Sequence, residues 1–239
     1  VDRIHLVRHR EVPYCLCVSK CDWLPGMKCI VLDFDGVILA STEVKSRAFE
    51  EIFSRYPDVS QKATAFHHAH KGVSRNQKFQ YLVHDLLGLE DPELINQLSE
   101  EFGQIVEDRI LGCEFVPGAK VFLNHWHGRL PLYVASTNSP QELGRIICRL
   151  GLTRYFDRVL ADPGPKAVLL QEILNHTGLV AAEVVFVGDS AGDLEAAREV
   201  GARFVGVGDC PAFQEEEIQS CRDLFEVAEI LVTEQNGVA

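Results

Sequence analysis

The chain has 239 residues, 46 % hydrophobic and 8 % aromatic, enough for one large or two modest domains with an ordinary core. Its 35 acidic residues outnumber 23 lysines and arginines, and the net charge of -12 argues against nucleic acid or an anionic membrane as partner. A small phosphate ester, which needs only a few local cations, stays open. No apolar run reaches membrane-spanning length, and His5, Arg8, His9, Arg10 and Glu11 break up the start where a secretory signal would be continuous, so a cytoplasmic, reducing location is expected.

Residues 1–28 read as an N-terminal extension, closed by a turn at Pro25-Gly26. Cys15, Cys17 and Cys21 fall in C-x-C-x3-C spacing, which is not a standard zinc pattern and has no evident fourth ligand. Cys29 and Cys148 lie in apolar runs and read as small buried hydrophobes. Residues 29–37, Cys-Ile-Val-Leu-Asp-Phe-Asp-Gly-Val, predict a strand that runs into two carboxylates and a glycine. Strand side chains alternate with period two, so Asp33 and Asp35 are expected to point the same way at its C-terminal end. Two like charges so close resist ionising together, which can set up one as nucleophile and one as acid, and a divalent cation would offset their repulsion.

From Thr42 the pattern turns helical, with Val44, Ala48, Phe49, Ile52, Phe53 and Tyr56 at three-to-four spacing, ending before Pro57. A second helix is expected near 60–70, and a third after Ser74 as N-cap, with Phe79, Leu82, Leu86 and Leu87 on one face. A fourth starts at Asp91-Pro92-Glu93, its apolar face Leu94, Leu98, Phe102, Ile105 and Val106. Helices in a row without a strand suggest an all-helical unit, residues 41–112, inserted into a core made of 29–40 and 113–239. After Val116-Pro117-Gly118, strands at 130–136, 158–161, 183–188 and 203–207 alternate with helices at 140–150, 166–177 and 192–200. That alternation implies an α/β fold, a parallel sheet with helices on both faces and a ligand beyond the C-terminal strand ends.

The chemistry-bearing residues fall at those ends. Asp33-Phe34-Asp35-Gly36 follows the first strand and Ser136-Thr137-Asn138 the second. Lys166 opens a helix after Asp162-Pro163-Gly164-Pro165, and Gly188-Asp189-Ser190-Ala191-Gly192-Asp193 follows the fourth strand. Each could be a turn or a cap taken singly. Together they supply what phosphoryl transfer needs: a carboxylate nucleophile, donors and a lysine for the phosphoryl oxygens, and acidic groups for a hard cation.

The motifs D-x-D-G-V at Asp33–Val37, the Ser136 strand end, Lys166 and G-D-S-x-x-D at Gly188–Asp193 resemble, in order, those of the haloacid dehalogenase superfamily of phosphotransferases, over residues 29 to about 232. The helical insertion after the first motif is similar to the small cap of its phosphoglycolate phosphatase and β-phosphoglucomutase branch. The resemblance implies a Rossmann-like three-layer αβα core with a parallel sheet plus an inserted α-helical cap. It makes Asp33 the nucleophile and a Mg2+ ligand. Asp35 would protonate the leaving oxygen, activate water and offer its backbone carbonyl to the metal. Asp189 would be the remaining protein ligand, with Asp193 behind it, and Gly36, Ser136, Thr137, Asn138 and Lys166 would hold the phosphoryl group. Where the family often has Asp-Ser or Asp-Thr this chain has Ala40-Ser41, bordering the cap hinge, with an expected effect on cap closure more than turnover.

The stretch His70-Lys71-Gly72-Val73-Ser74-Arg75 resembles the substrate-specificity loop of β-phosphoglucomutase, which makes Lys71, Ser74 and Arg75 expected substrate contacts. The alternative is a capped helix start with solvated cations. His67, His68 and His70 add polar groups nearby without metal-ligand spacing. Gly188-Asp189-Ser190, where the mutases typically have Glu-Asp, is common among phosphatases. The expected activity is therefore Mg2+-dependent hydrolysis of a small phosphorylated metabolite, a sugar phosphate or a phosphoglycolate-like ester, through an aspartyl-phosphate. A β-phosphoglucomutase-type mutase and, from another class, a non-catalytic phosphometabolite-binding protein are the alternatives. A monomer or homodimer is expected.

Overall fold

The computed structural model of the protein describes residues 26–70 and 73–235. The expectations for Cys15, Cys17, Cys21, Lys71 and the extension before residue 26 lie outside the described residues. Strand β1 (Cys29–Leu32) is wholly buried and sits inside a six-stranded sheet. It pairs in parallel with β2 (Leu132–Ser136) on one side and with β4 (Val184–Gly188) on the other, Leu32 facing Val134 and Val187. Then β3 (Arg158–Ala161) pairs with β2, while β5 (Arg203–Val207) and β6 (Ser220–Cys221) extend the sheet beyond β4. Spatial order is β3-β2-β1-β4-β5-β6, all parallel.

Both faces are covered, which is why the central strands are continuously apolar rather than alternating. Ile30, Leu32, Val134, Val187 and Val205 face helices α5 (Ala119–Trp126), α6 (Pro140–Arg149) and α10 (Leu224–Gln235). Cys29, Val31, Tyr133, Ala135 and Phe186 face α7 (Lys166–Thr177), α8 (Ala191–Val200) and α9 (Pro211–Glu215). The result is three layers, αβα, with all strand C-termini along one edge.

Between β1 and α5 the chain forms α1 (Thr42–Phe53), α2 (Pro57–Ala69), α3 (Arg75–Gln80), a wider π-type turn at Tyr81–Leu86, and α4 (Pro92–Ile110). Their starts follow the sequence closely. Pro57 and Pro92 open α2 and α4, the Asp91 carboxylate accepts from Leu94 N at 2.9 Å, and Ser74 with Gln77 forms a capping box at α3. Phe49 sits at the centre of this unit, its ring centroid 4.2 Å from that of Phe102 and 5.4 Å from that of Phe79. Among the described residues no helix is long and apolar enough to cross a membrane.

Several local expectations shift. The first strand ends earlier than residue 37: Asp33 still bonds across to β4, and Asp35 lies in the turn beyond. On α4 the buried face is Ile95, Leu98, Phe102, Gly103, Val106 and Ile110, with Leu94 and Ile105 only at its margin. Helices α5, α9 and α10 and the two-residue strand β6 had no clear signal of their own, being short or next to loops. Cys29 is fully buried, but Cys148 is exposed. Helix α6 buries Leu143, Ile146 and Ile147, and one further residue turns the side chain about 100° past that stripe.

Phe49→Ala is expected to cost about 3–5 kcal/mol, because four helical rings would face a cavity too rigid to collapse. Urea unfolding checks this, and an unchanged midpoint would show that the aromatic cluster does not hold the helical unit.

Candidate active site

Four strand ends converge because the sheet is parallel and its C-termini share an edge. Asp33 continues β1, its N–H donating to the Val187 carbonyl at 2.9 Å. Ser136, 2 % exposed, ends β2 on the neighbouring strand, and Gly188-Asp189 ends β4 on the other side. Lys166 opens α7 after the loop that leaves β3. Asp33, Lys166, Asp189 and Asp193, far apart in the sequence, meet here.

Lys166 Nζ lies 3.0 Å from Asp33 Oδ2 and also bonds the Asp193 carboxylate, with only 9 % of its side chain exposed. Asp193 does more than face the lysine. Its Oδ2 accepts from Asp189 N at 3.1 Å, Ser190 N at 3.1 Å and Ser190 Oγ at 2.7 Å, which fixes the β4–α8 turn. Oxygens of Asp33, Asp189 and Asp193 all lie within 4.8 Å of one another. Burial pushes Asp33 up to about 7, with Lys166 opposing and the Asp193 and Asp35 charges adding to the rise. Burial likewise raises Asp189 well above the usual carboxylate range, reinforced by Asp33 and Asp193. For Lys166 burial works against the charge, but Asp193 and Asp33 outweigh it and hold the ammonium ionised.

Asp35 belongs to a second cluster. Its carboxylate accepts from Ser41 Oγ at 2.5 Å, from Asn138 Nδ2 at 2.8 Å and from Lys45 Nζ, which also donates to Asn138 Oδ1 at 2.6 Å. Burial alone would raise Asp35; Lys45, Ser41 and Asn138 together bring it below its ordinary value. Lys45 was missed in the sequence. Its signal was a cation in the first turn of α1, against the helix dipole and one turn after Ser41. Ser41 was expected at the hinge, yet its hydroxyl touches the carboxylate expected to be the acid and base.

Other expected residues have partners within the protein. Gly36 was expected to hold phosphate, but its N–H donates to the Leu39 carbonyl at 2.8 Å. Its value is shape: φ is +80°, and a Cβ there would overlap the Asp189 carboxylate. Asn138 presents its amide to Asp35 and Lys45 rather than to an open anion site. Ser136 Oγ accepts from Asn138 N at 3.4 Å, and Thr137 is half-buried in the same turn. In the helical unit, Ser74 caps α3, whereas Arg75 is not a solvated cation but pairs with Glu142 at 2.7 Å with little of its side chain exposed. The histidines scatter: His67 Nε2 is 3.0 Å from Ser46 Oγ, His68 pairs with Glu50, and His70 Nδ1 meets the Phe66 carbonyl.

The acidic trio suits a hard divalent cation. Its donors are carboxylate oxygens, and Asp33 and Asp189 are raised by burial and mutual repulsion that such a charge would relieve. A carboxylate raised above its unfolded value stabilises the fold fully below about pH 4, and that stability is lost as pH rises through about 7. Metal-free protein should therefore melt lower at pH 8 than at pH 5, and Asp33→Asn should flatten that slope. Added Mg2+ should restore the midpoint at pH 8, by about 2–4 °C for each kcal/mol of relieved repulsion. Scanning calorimetry with and without chelator checks this.

The sequence profile of the haloacid dehalogenase-like hydrolase family matches residues 30–207. A phosphoglycolate phosphatase of Aliivibrio fischeri is 29 % identical over 188 residues, 73 % of this chain and 81 % of that protein. One of Synechococcus elongatus is 26 % identical over 194 residues, covering 76 % and 84 % of the two chains. A haloacid dehalogenase-like family hydrolase from Streptococcus pneumoniae superposes with a TM-score of 0.66 at 17 % identity, over 85 % of this chain and 98 % of that one, a likeness of fold. The chain belongs to the haloacid dehalogenase-like hydrolases and is an enzyme, of the phosphoric monoester hydrolase class to which the relatives it matches belong.

Proposed function

We propose that the protein is a Mg2+-dependent phosphatase that hydrolyses a small phosphorylated metabolite, a sugar phosphate or a phosphoglycolate-like ester, by way of an aspartyl-phosphate. One observation carries the reading: two carboxylates two residues apart are held by different lysines, Asp33 by Lys166 and Asp35 by Lys45. That separation suits two roles. In the first step an Asp33 oxygen attacks phosphorus, and the ester oxygen leaves with a proton from Asp35. In the second, Asp35 takes a proton from water, which attacks phosphorus and frees Asp33. Lys166 and the Ser136 hydroxyl hold phosphoryl oxygens as charge shifts between them.

Asp33, Asp189 and the Asp35 backbone carbonyl would hold Mg2+, with Asp193 orienting Asp189 through the turn. Bound there, Mg2+ would neutralise negative charge on the carboxylates and the phosphoryl oxygens. Asp35 starts ionised beside Lys45, so it takes up one proton from solvent before it acts as the acid and regains one from water in the second step.

Hydrolysis rather than mutase chemistry is supported at Gly188. A Cβ there would lie 2.7 Å from Asp193 Cγ and 2.9 Å from its Oδ2, so a glutamate could not stand at this position without displacing the turn's staple. The names of the relatives support the substrate class. Residues 41–112 as cap, 29–40 and 113–239 as core, and action as a monomer or homodimer are part of the same proposal. So is a cytoplasmic location.

Phosphate release from a panel of phosphorylated metabolites is expected with Mg2+ and lost with chelator. Asp33→Asn should fall to background, and Asp35→Asn should lose roughly 10²–10⁴ in kcat. Full activity in Asp33→Asn, or interconversion of sugar phosphates without phosphate release, would contradict the reading. Lys45 holds the Asp35 carboxyl down, so Lys45→Ala should move the acidic limb of the pH–rate profile to higher pH. An unmoved or lowered limb would remove Lys45 from that role.

A further inference from the structure

We propose that Arg75, Glu142 and Gly103 form the joint that docks the helical cap on the core, and that they are positioning residues for Lys45 at Asp35. Arg75 opens α3, and its Nη2 donates to Glu142 Oε2 at 2.7 Å while Nη1 reaches the Ser99 carbonyl at 3.2 Å. Its guanidinium lies 5.6 Å from the Phe102 ring centroid, and only 13 % of the side chain is exposed. Glu142 lies in the first turn of α6, four residues after Asn138. The pair therefore ties the helical insertion to the element that leaves the phosphate-binding end of β2.

Gly103 explains how the pair is seated. It lies buried in the middle of the nineteen-residue helix α4, where glycine costs roughly 1 kcal/mol relative to alanine. A Cβ there would come 2.9 Å from Arg75 Nη1 and 3.1 Å from Glu142 Cδ. The missing side chain is the room in which the ion pair sits. A second tie joins α4 to α6, with Arg145 Nη2 2.7 Å from Glu107 Oε2, but Arg145 is 53 % exposed and holds less.

Docking matters because the Asp35 cluster is built from both parts. Lys45 comes from α1 of the insertion, whereas Asp35 and Asn138 come from the core. Only when the insertion is docked does Lys45 bridge them. A weaker joint lowers the fraction of molecules in that arrangement, and apparent substrate affinity falls by the same factor.

The test uses the full chain with Mg2+ and its best ester. Gly103→Ala should raise KM by about tenfold with kcat within about twofold, while the melting midpoint stays level or rises because alanine favours helix. Glu142→Gln and Arg75→Gln should each give the same KM-selective loss, and the double variant should be no worse than either single. Unchanged KM in Gly103→Ala, or additive losses in the double variant, would overturn the proposal. The kinetic arm rests on the phosphatase reading. Hydrogen exchange does not: α4 and first-turn α6 amides should exchange faster in Gly103→Ala, and unchanged protection would refute the joint whether or not the wild type releases phosphate.

Discussion

Four carboxylates crowd one edge of a parallel sheet, and the site depends on how that negative charge is divided. Asp33, Asp189 and Asp193 share a space less than 5 Å across, and Asp35 lies two residues from Asp33. Two lysines partition them. Lys166 sits between Asp33 and Asp193, and Lys45 sits between Asp35 and Asn138. Carboxylates of the same chemical type thereby acquire opposite tendencies, Asp33 raised and Asp35 lowered. The sheet supplies the crowding, since parallel strands deliver their ends to one side, and the turn glycines Gly36 and Gly188 let the carboxylates approach.

The two lysines have different origins. Lys166 belongs to the core and is nearly enclosed, so its pair with Asp33 is a fixed feature of the fold. Lys45 comes from α1 of the helical insertion and reaches Asp35 and Asn138, which follow β1 and β2. One lysine thus belongs to the sheet's own helices and the other to the insertion. That links the helical unit to the chemistry by more than enclosure. It also explains why Ser41, at the junction of core and insertion, bonds the Asp35 carboxylate.

Much of this was legible in the sequence, for physical reasons that differ by element. The parallel sheet was visible because buried strands such as Val184-Val185-Phe186-Val187 are continuous apolar runs between helical periods. Asp33, Ser136 and Asp189 were visible because each stands at the end of such a run, and Lys166 because it opens a helix after a Pro-Gly-Pro loop. Caps at Ser74 and Asp91 were visible because they are local chemistry. What stayed hidden depends on contacts distant in sequence. Lys45 and Asn138 are 93 positions apart, and Arg75 and Glu142 are 67 apart. The short elements α9 and β6 carry too few residues for a period to register. Cys148 was misplaced because an apolar neighbourhood in a helix does not say which side of the stripe a residue occupies.

The central claim is that phosphate passes through Asp33, and the stereochemistry at phosphorus tests it most directly. Hydrolysis of a phosphorothioate ester made chiral at phosphorus with two oxygen isotopes, the solvent water carrying the third, reports the number of displacements. Two in-line displacements, one by Asp33 and one by water, predict retention of configuration. Inversion would mean that water attacks the ester directly, and would contradict the account.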